Sequence, residues 1–498
     1  MRTLRSFLDD LKKTDNLINI DDEVNWDLQA AAICGMNQRV GGPAVHFTNV
    51  SGYPGASLAG SLFTGPGYSY ENEVNRKMQT KIAVGLGLEP DIHYEELMEV
   101  LGERLSSPIR GIEVDSGSVE EVVKEGDEVN LWEYPFPRIH DKDAGRYLTS
   151  HVVMTRDAET GWTNWGVYRF LVTGRNELVM GTLPHLQRSR DAQMIAKKYA
   201  EKGEPLPFAV VIGVAPALFF TAAMLSPPGV DELGIAGGLM LDPVATIKAK
   251  LSDIAIPAEA EMVLEGHIYP GDTKDEGPFG WVSYYTPKQQ SLVYRVERIS
   301  HRKNPIIPFV AEGMMPSDTV CIYSVFHSRQ LMDNLTANKC TVRYVALPVE
   351  ARLTLGIAAM EVKVPGMAQR IANNLIGGSP FVRKAVVVDA DIDGEDLCPA
   401  LNDMAQKSHP LRDVHVHPRV DKTLGWTENH DWDTGLTSTV WWDAAWPYGK
   451  EENEPETLPM RGEFEIIYPK ELQEEVIRKW NDVLKLEPKA WRFKWADE

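Results

Sequence analysis

Gly161-Trp162-Thr163-Asn164-Trp165-Gly166-Val167-Tyr168-Arg169 is the stretch on which the reading of this chain turns. It packs two indoles, an amide and a guanidinium together, with no Lys, Asp or Glu among them. Indoles bury a large apolar area and need a partner only for the N–H, so the stretch is expected to lie half-buried. An arginine in such surroundings can hold a carboxylate or a phosphate through two parallel hydrogen bonds. In a straight strand Asn164 and Arg169 would point to opposite faces, because side chains alternate. They reach one site only if the chain bends, and Gly166 is where it bends with least strain. A plainer reading fits the same residues: a strand with core tryptophans and a salt-bridged arginine.

Strand-like runs continue on both sides. Val152-Val153-Met154, Val167 to Val172, Phe208 to Val214, Glu261 to Ile268, Ser291 to Ile299 and Pro305 to Val310 are short, apolar and separated by turn signals. They predict a β-rich middle domain over 111–315, a sheet or partly closed barrel, with helices inserted near 190–202 and 216–225. Leu206 to Leu225 carries no charge over twenty residues, long enough to span a bilayer. Pro207, Gly213 and Pro216 interrupt it, however, so a buried strand followed by a helix with Pro216 in its first turn is expected.

Before the middle domain, residues 1–110 mix helical spacing (Leu4, Phe7, Leu8, Leu11) with short strands such as Leu17 to Ile20, an α/β lobe. After it, Ser317 to Lys339 lacks Gly and Pro and predicts a linking helix within 316–340. Strand and helix patterns then alternate over 341–468, a second α/β domain, and 469–498 form a C-terminal helix and tail. The fold class is α/β (α+β).

The chain has 498 residues, 43% hydrophobic and 25% charged, the balance of an ordinary globular protein of several domains. A net charge of −21 argues against nucleic-acid partners and anionic membranes. It leaves room for an anionic substrate, since one local arginine outweighs a distant field. Cys34, Cys321, Cys340 and Cys398 are scattered without a C-x-x-C, so neither a disulfide framework nor a zinc knuckle is expected. The N-terminus lacks the apolar core of a signal peptide, and a cytoplasmic location is expected.

No phosphate-binding or zinc-protease motif is present, and Gly85-Leu-Gly87 lacks the third glycine of a dinucleotide fingerprint. Asp389-Ala-Asp391-Ile-Asp393-Gly394 opens like a calcium loop, but its twelfth position is Ala400 rather than a bidentate Glu. Asp413, His415 and His417 alternate on one strand face, either a metal site or a solvated face. Asp275-Glu276-Gly277-Pro278-Phe279-Gly280 holds carboxylates on a tight loop after a strong strand, suited to acid/base work or to a simple exposed turn. Asp231-Glu232-Leu-Gly234 sets acids beside close backbone approach, as a cation ligand or as a helix N-terminal charge.

Taken together, these stretches resemble the UbiD-type decarboxylases, which use prenylated FMN. The likeness runs through Phe7-Leu-Asp-Asp-Leu, Leu28-Gln-Ala-Ala-Ala-Ile, Tyr134-Pro-Phe-Pro-Arg-Ile-His140, Trp162-Thr-Asn-Trp, Glu232-Leu-Gly-Ile-Ala-Gly, Glu276-Gly-Pro-Phe-Gly and Asp389-Ala-Asp-Ile-Asp. It implies an N-terminal α/β lobe, a flavin-binding split β-barrel, a linking helix and a C-terminal α/β domain used for oligomerisation, as dimer or hexamer. It implies a catalytic Arg169 and Glu276, and cofactor contacts at Asn164, Trp165, Val167, Arg169, Met224 and Glu232. It also implies Mn²⁺ (or Mg²⁺ or Fe²⁺) on Asn164, Asp191 and Glu232, and K⁺ on the backbone around Thr221 and Met224. Hard oxygen ligands suit such cations.

Three departures stand out. The family's metal-binding His falls on Asp191, with His185 as the alternative. Its second catalytic acid falls on Trp281, which transfers no proton and can line a substrate pocket instead. Its phosphate-contacting Lys falls on Thr439. The implied activity is reversible, non-oxidative decarboxylation of an aromatic or α,β-unsaturated acid through a covalent prenylated-FMN adduct, with a flavin prenyltransferase as cofactor supplier. The substrate would be a small aromatic carboxylate or, in reverse, its CO₂-accepting product. The alternatives are an aryl-thioester decarboxylase and a non-catalytic or assisting subunit of a multi-subunit carboxylase.

Overall fold

Apolar residues at helical spacing start the chain. Leu4, Phe7, Leu8 and Leu11 are all buried on the Leu4–Lys13 helix, and Thr3 and Ser6 cap its N-terminus reciprocally. The computed structural model describes residues 2–66, 76–181, 187–224, 226–282, 284–313, 316–395, 397–422, 436–447, 462 and 464–484. The N-terminal lobe carries a sheet ordered Leu17–Ile20, Ala44–Phe47, Ser57–Gly60 and Ile306–Pro308. Its last strand comes from far along the chain and pairs parallel, Ile306 beside Ser57. A segment that sequence places with the middle strands thus closes the first lobe.

The middle of the chain forms one large sheet. Its path runs Tyr147–Leu148, Phe170–Gly174, Glu177–Met180, Gln289–His301, Met262–Ile268, Leu206–Ile212, His151–Arg156 and Thr163–Gly166. Thr273–Glu276 and Val122–Glu125 pair with opposite halves of the long Gln289–His301 strand. Strands Thr163–Gly166 and Phe170–Gly174 are six steps apart on that path, which on a flat sheet is about 29 Å. Only Val167, Tyr168 and Arg169 join them, and four Cα–Cα steps reach no more than about 15 Å. The sheet therefore curls back on itself into a split barrel, and the connection 167–169 crosses its opening.

The uncharged stretch from Leu206 divides as its prolines dictate. Leu206–Ile212 is a central strand and Pro216–Ala223 a fully buried helix with Pro216 in its first turn. Among the described residues no helix is long and apolar enough to cross a membrane.

Ser317 caps the long Asp318–Ala337 helix, which connects the barrel to the C-terminal part. There a five-stranded sheet is ordered Val342–Ala346, Leu355–Met360, Lys384–Asp389, Leu436–Ala444 and Val414–Lys422, with parallel pairs at its centre. Helices Met367–Gly378 and Cys398–Lys407 belong to the same unit. Asp389, the first residue of the calcium-like run, accepts hydrogen bonds from Lys407 Nζ at 2.8 Å and Trp446 N at 3.0 Å, so it serves as a structural ion-pair centre. The helix expected after Pro469 spans Lys470–Leu484. The acidic run 451–456 lies outside the described residues.

Candidate active site

The bend at Gly166 is real. The first strand ends there, and an added Cβ would lie 2.4 Å from the Tyr168 hydroxyl, which folds back over it. Arg169 then turns to the Glu276 loop. Its Nε donates to Glu276 Oε1 at 2.9 Å and its Nη2 to Oε2 at 2.8 Å, a two-pronged pair. Nη2 also donates to Thr286 Oγ1 at 3.1 Å, and Tyr147 OH donates to Glu276 Oε1 at 3.1 Å. Glu276 is fully buried, whereas neighbouring Asp275 sits outside with Lys288 and Gln290. Strand alternation over Thr273–Glu276 separates these two acids, one solvated and one enclosed.

Phe279, two residues beyond the loop glycine, packs 4.4 Å from the Tyr147 ring and 5.1 Å beneath the Arg169 guanidinium. Gly181 allows the guanidinium through, because a Cβ there would stand 2.4 Å from Arg169 Cγ. Arg169 Nη1 makes no hydrogen bond among the described residues. Burial pushes the Tyr147 hydroxyl pKa well up, and the Glu276 charge pushes it further, so Tyr147 stays protonated.

Behind this loop stands a second pair. Asp143 Oδ1 accepts from Gly280 N at 3.0 Å and Oδ2 from His140 N at 2.8 Å. His140 Nδ1 lies 3.1 Å from Asp143 Oδ2, and its Nε2 lies 2.7 Å from the Glu312 carbonyl oxygen. Both ring nitrogens face acceptors, an arrangement satisfied fully only by the imidazolium. Burial opposes the charge most strongly, but the Asp143 hydrogen bond and the surrounding negative charge outweigh it and raise the His140 pKa. The Glu312 carboxyl, buried beside Ser317 and Thr319, is pushed up to about 7 by desolvation.

The residues implied as metal and cofactor contacts gather around the Thr163–Gly166 strand. Trp165 N donates to Glu232 Oε2 at 2.6 Å, and Trp162 Nε1 to Val230 O at 3.0 Å. Asp231 caps the Glu232–Met240 helix by accepting from Gly234 N, which leaves Glu232 to reach the strand. Asp191 is buried on the Gln187–Lys202 helix. Thr221 and Met224 mark the C-terminal end of the Pro216–Ala223 helix, where Thr221 O accepts from Met224 N at 3.1 Å and the helix dipole favours a cation. All three helices pack on this one strand. Trp165 and Glu232 line a cavity of about 690 Å³, and Val167 is half-buried in the crossing connection.

Asn164 is buried, and its Nδ2 has no hydrogen-bond partner among the described residues. A buried amide with an orphaned donor, two buried carboxylates and a free guanidinium edge fit a group carrying both a metal and anionic oxygens. Among the described residues there is no cluster of three His, Cys, Asp or Glu side chains with metal-site geometry. His185 lies outside the described residues.

The other candidates lie elsewhere. Trp281 lines a separate cavity of about 310 Å³ against the linking helix and the C-terminal unit. Thr439 is buried in the C-terminal sheet opposite His417. Just before the neighbouring strand Asp413 is held by Arg412, and on it His415 stacks on Trp441 at 4.0 Å, so both have structural work.

Three family models match the chain in order. They are the 3-octaprenyl-4-hydroxybenzoate carboxy-lyase N-terminal domain over 8–101, the Rift-related domain over 112–315 and the C-terminal domain over 321–442. The pyrrole-2-carboxylic acid decarboxylase of Pseudomonas aeruginosa is 28% identical, covering 96% of this chain and 97% of that protein. The vanillic acid decarboxylase of Sedimentibacter hydroxybenzoicus in its closed form is 26% identical with a TM-score of 0.81, covering 97% of this chain and 99% of that one. HmfF from Pelotomaculum thermopropionicum in complex with prFMN, in an evolved dimeric form, is 26% identical with a TM-score of 0.77, covering 91% and 96%.

Proposed function

The chain belongs to the UbiD family and is a carboxy-lyase, and from that premise we propose that it removes CO₂, reversibly and without net oxidation, from an aromatic carboxylic acid. One observation carries the reading above the rest. It is the buried Arg169–Glu276 pair at the mouth of the curled sheet, with Tyr147 and Thr286 holding it and one guanidinium edge left over. The related proteins that act on pyrrole-2-carboxylic and vanillic acids support an aromatic substrate.

Prenylated FMN, when bound, supplies a sink for the electron pair left by the breaking carbon–carboxylate bond. Asn164, Trp165, Val167, Arg169, Met224 and Glu232 would hold it. Asn164, Asp191 and Glu232 would carry Mn²⁺ or a like cation against its phosphate, and the Thr221–Met224 carbonyls would carry K⁺. The remaining steps belong to the chain's own side chains. Arg169 Nη1 engages the substrate carboxylate and fixes it with its breaking bond presented to the sink. Glu276, held by Arg169 Nε and Nη2, stands beside that carboxylate and carries a proton from water to the site. The C–C bond breaks, its electron pair stays with the ring carbon, and the Glu276 proton takes the place of CO₂ there. In the opposite direction Glu276 receives that proton as CO₂ adds. Tyr147 keeps Oε1 oriented throughout. The family's second acid falls on Trp281, and Asp275 is paired outside with Lys288, so Glu276 is the enclosed carboxyl of its loop.

The protein is expected to work in the cytoplasm as a homo-oligomer, charged with cofactor by a flavin prenyltransferase. Cys34 and Cys321 are buried and form no disulfide, and burial pushes both up to about 12, as suits inert core thiols. The test is co-expression with a flavin prenyltransferase, followed by denaturing mass spectrometry, an absorbance spectrum and a CO₂-exchange screen of aromatic acids. Near-stoichiometric prenylated FMN and exchange abolished by Arg169→Ala and Glu276→Gln support the reading. Folded protein that stays empty of flavin favours an assisting subunit instead.

A further inference from the structure

Glu276 ends one arm of a long hairpin whose ladder is interrupted. Thr273–Glu276 pairs with the start of Gln289–His301, with Glu276 opposite Gln289. Pro278 and Pro287 then stand on the two arms, and neither can donate to a ladder. Beyond that break Phe279–Trp281 pairs with Tyr284–Thr286 as a separate two-stranded ribbon, with no further strand beside it among the described residues. A ribbon of two short strands does not hold its own position. Yet Phe279 and Thr286, register partners across it, both touch the Arg169 guanidinium.

The segment from His140 to Ala144 anchors this ribbon. Asp143, whose side chain is fully enclosed, accepts from Gly280 N at 3.0 Å, one residue from Phe279. Ala144 N donates to Pro278 O at 3.0 Å, at the break itself. The His140 ring, beside Asp143 Oδ2, stands edge-on at 5.9 Å to both the Phe279 and the Tyr285 rings. The fit leaves no slack, because a Cβ on Gly280 would lie 2.6 Å from His140 Nδ1. Glu276, before the break, has supports of its own in the ladder and in Tyr147. Arg169 depends on the ribbon for its contacts with Phe279 and Thr286.

We propose that Asp143 is a positioning residue for Arg169. By fixing Gly280 it holds Phe279 and Thr286 against the guanidinium, and so governs the grip on the substrate carboxylate more than the proton carried by Glu276. The proposal rests on the decarboxylase reading for the role of that carboxylate. Asparagine at 143 would keep the shape but turn an N–H₂ toward one side of a set of three donors, Gly280 N, His140 N and the His140 ring.

The experiment loads wild type, Asp143→Asn and Gly280→Ala with prenylated FMN and follows two exchanges at one ring carbon. Exchange of labelled CO₂ into 4-hydroxybenzoate needs the carboxylate held. Deuterium uptake from D₂O into phenol replaces C–H by C–D through Glu276, with no carboxylate present. In Asp143→Asn the first exchange should fall at least about ten-fold more than the second, with flavin absorbance retained. Gly280→Ala, which keeps Asp143 but presses the ribbon off His140, should show the same split. A merely structural role lowers both exchanges in proportion. The second readout is NMR of the arginine Nε–H groups, the Arg169 signal being assigned by its loss in Arg169→Lys. Its exchange with solvent should quicken at least about ten-fold in both variants as the Phe279 cover shifts. Equal losses in the two exchanges, or an Arg169 signal as protected as in the wild type, overturn the proposal. If the wild type exchanges neither compound, the decarboxylase reading loses support, and the Arg169 signal alone decides the role of Asp143.

Discussion

Arg169 is confined on three sides: Glu276 takes two of its N–H groups, Thr286 another, and Gly181 leaves space for its stem. Gly181→Ala would put a methyl 2.4 Å from Arg169 Cγ and force the guanidinium aside. A displacement of about 1 Å at a reacting group costs roughly a hundred-fold in rate. Turnover should fall by about that factor while flavin occupancy, read by absorbance, is retained. His140 gives a pH signature. Its pKa is raised in the fold, so its contribution to stability is complete below the unfolded value of about 6.5 and is lost as pH rises through the folded value. Urea midpoints of the wild type should decline over that window, and those of Asp143→Asn should decline less. Arg169 and Glu276 were legible in sequence because each sits in a short stretch of unusual composition. Tyr147 and Thr286 were not, since they meet the pair across 129 and 117 residues of chain.

The linking helix shows how one side chain can tie elements together. Asp318, in its first turn, accepts from Leu62 N at 3.1 Å, Phe63 N at 2.8 Å and Thr64 N at 2.7 Å. Nearby, Lys81 is fully buried, donates to Gly42 O, Ser61 O and Thr64 Oγ1, and is lowered to about 8 by desolvation despite the Asp318 charge. Asp318→Ala would strand three amides and leave Lys81 without its counter-charge. A loss of at least about 3 kcal/mol is expected from urea unfolding, given roughly 1–3 kcal/mol per unsatisfied group. The helix itself was plain in sequence from a long run without Gly or Pro. Its anchor was not, because an aspartate at a helix start looks the same whether it caps its own helix or a loop more than 250 residues away.

Across the whole molecule the charge of −21 sets the approach of any anionic substrate. Mutual repulsion slows encounter when screening is weak. The kcat/KM for an aromatic carboxylate should therefore rise roughly two-fold between about 10 mM and about 150 mM salt, with kcat unchanged. A fall over this range would mean that the local arginines dominate the field at the entrance. The same scale decides the barrel. Each strand is visible locally, but closure follows from pairing order together with the short crossing at 167–169.

By itself the sequence determined the α/β lobes, the β-rich middle and the linking helix, and it marked Arg169 and Glu276 as separate candidates that only the family resemblance joined. These depend on periodicity, turn residues and local composition, all carried by near neighbours. Only the tertiary structure decided that Ile306–Pro308 closes the first lobe, that Glu276 rather than Asp275 is enclosed, and that Asp143 and Gly181 fix the two sides of the site. Each of these is a contact between segments far apart in the chain, settled by which surfaces the curled sheet brings face to face.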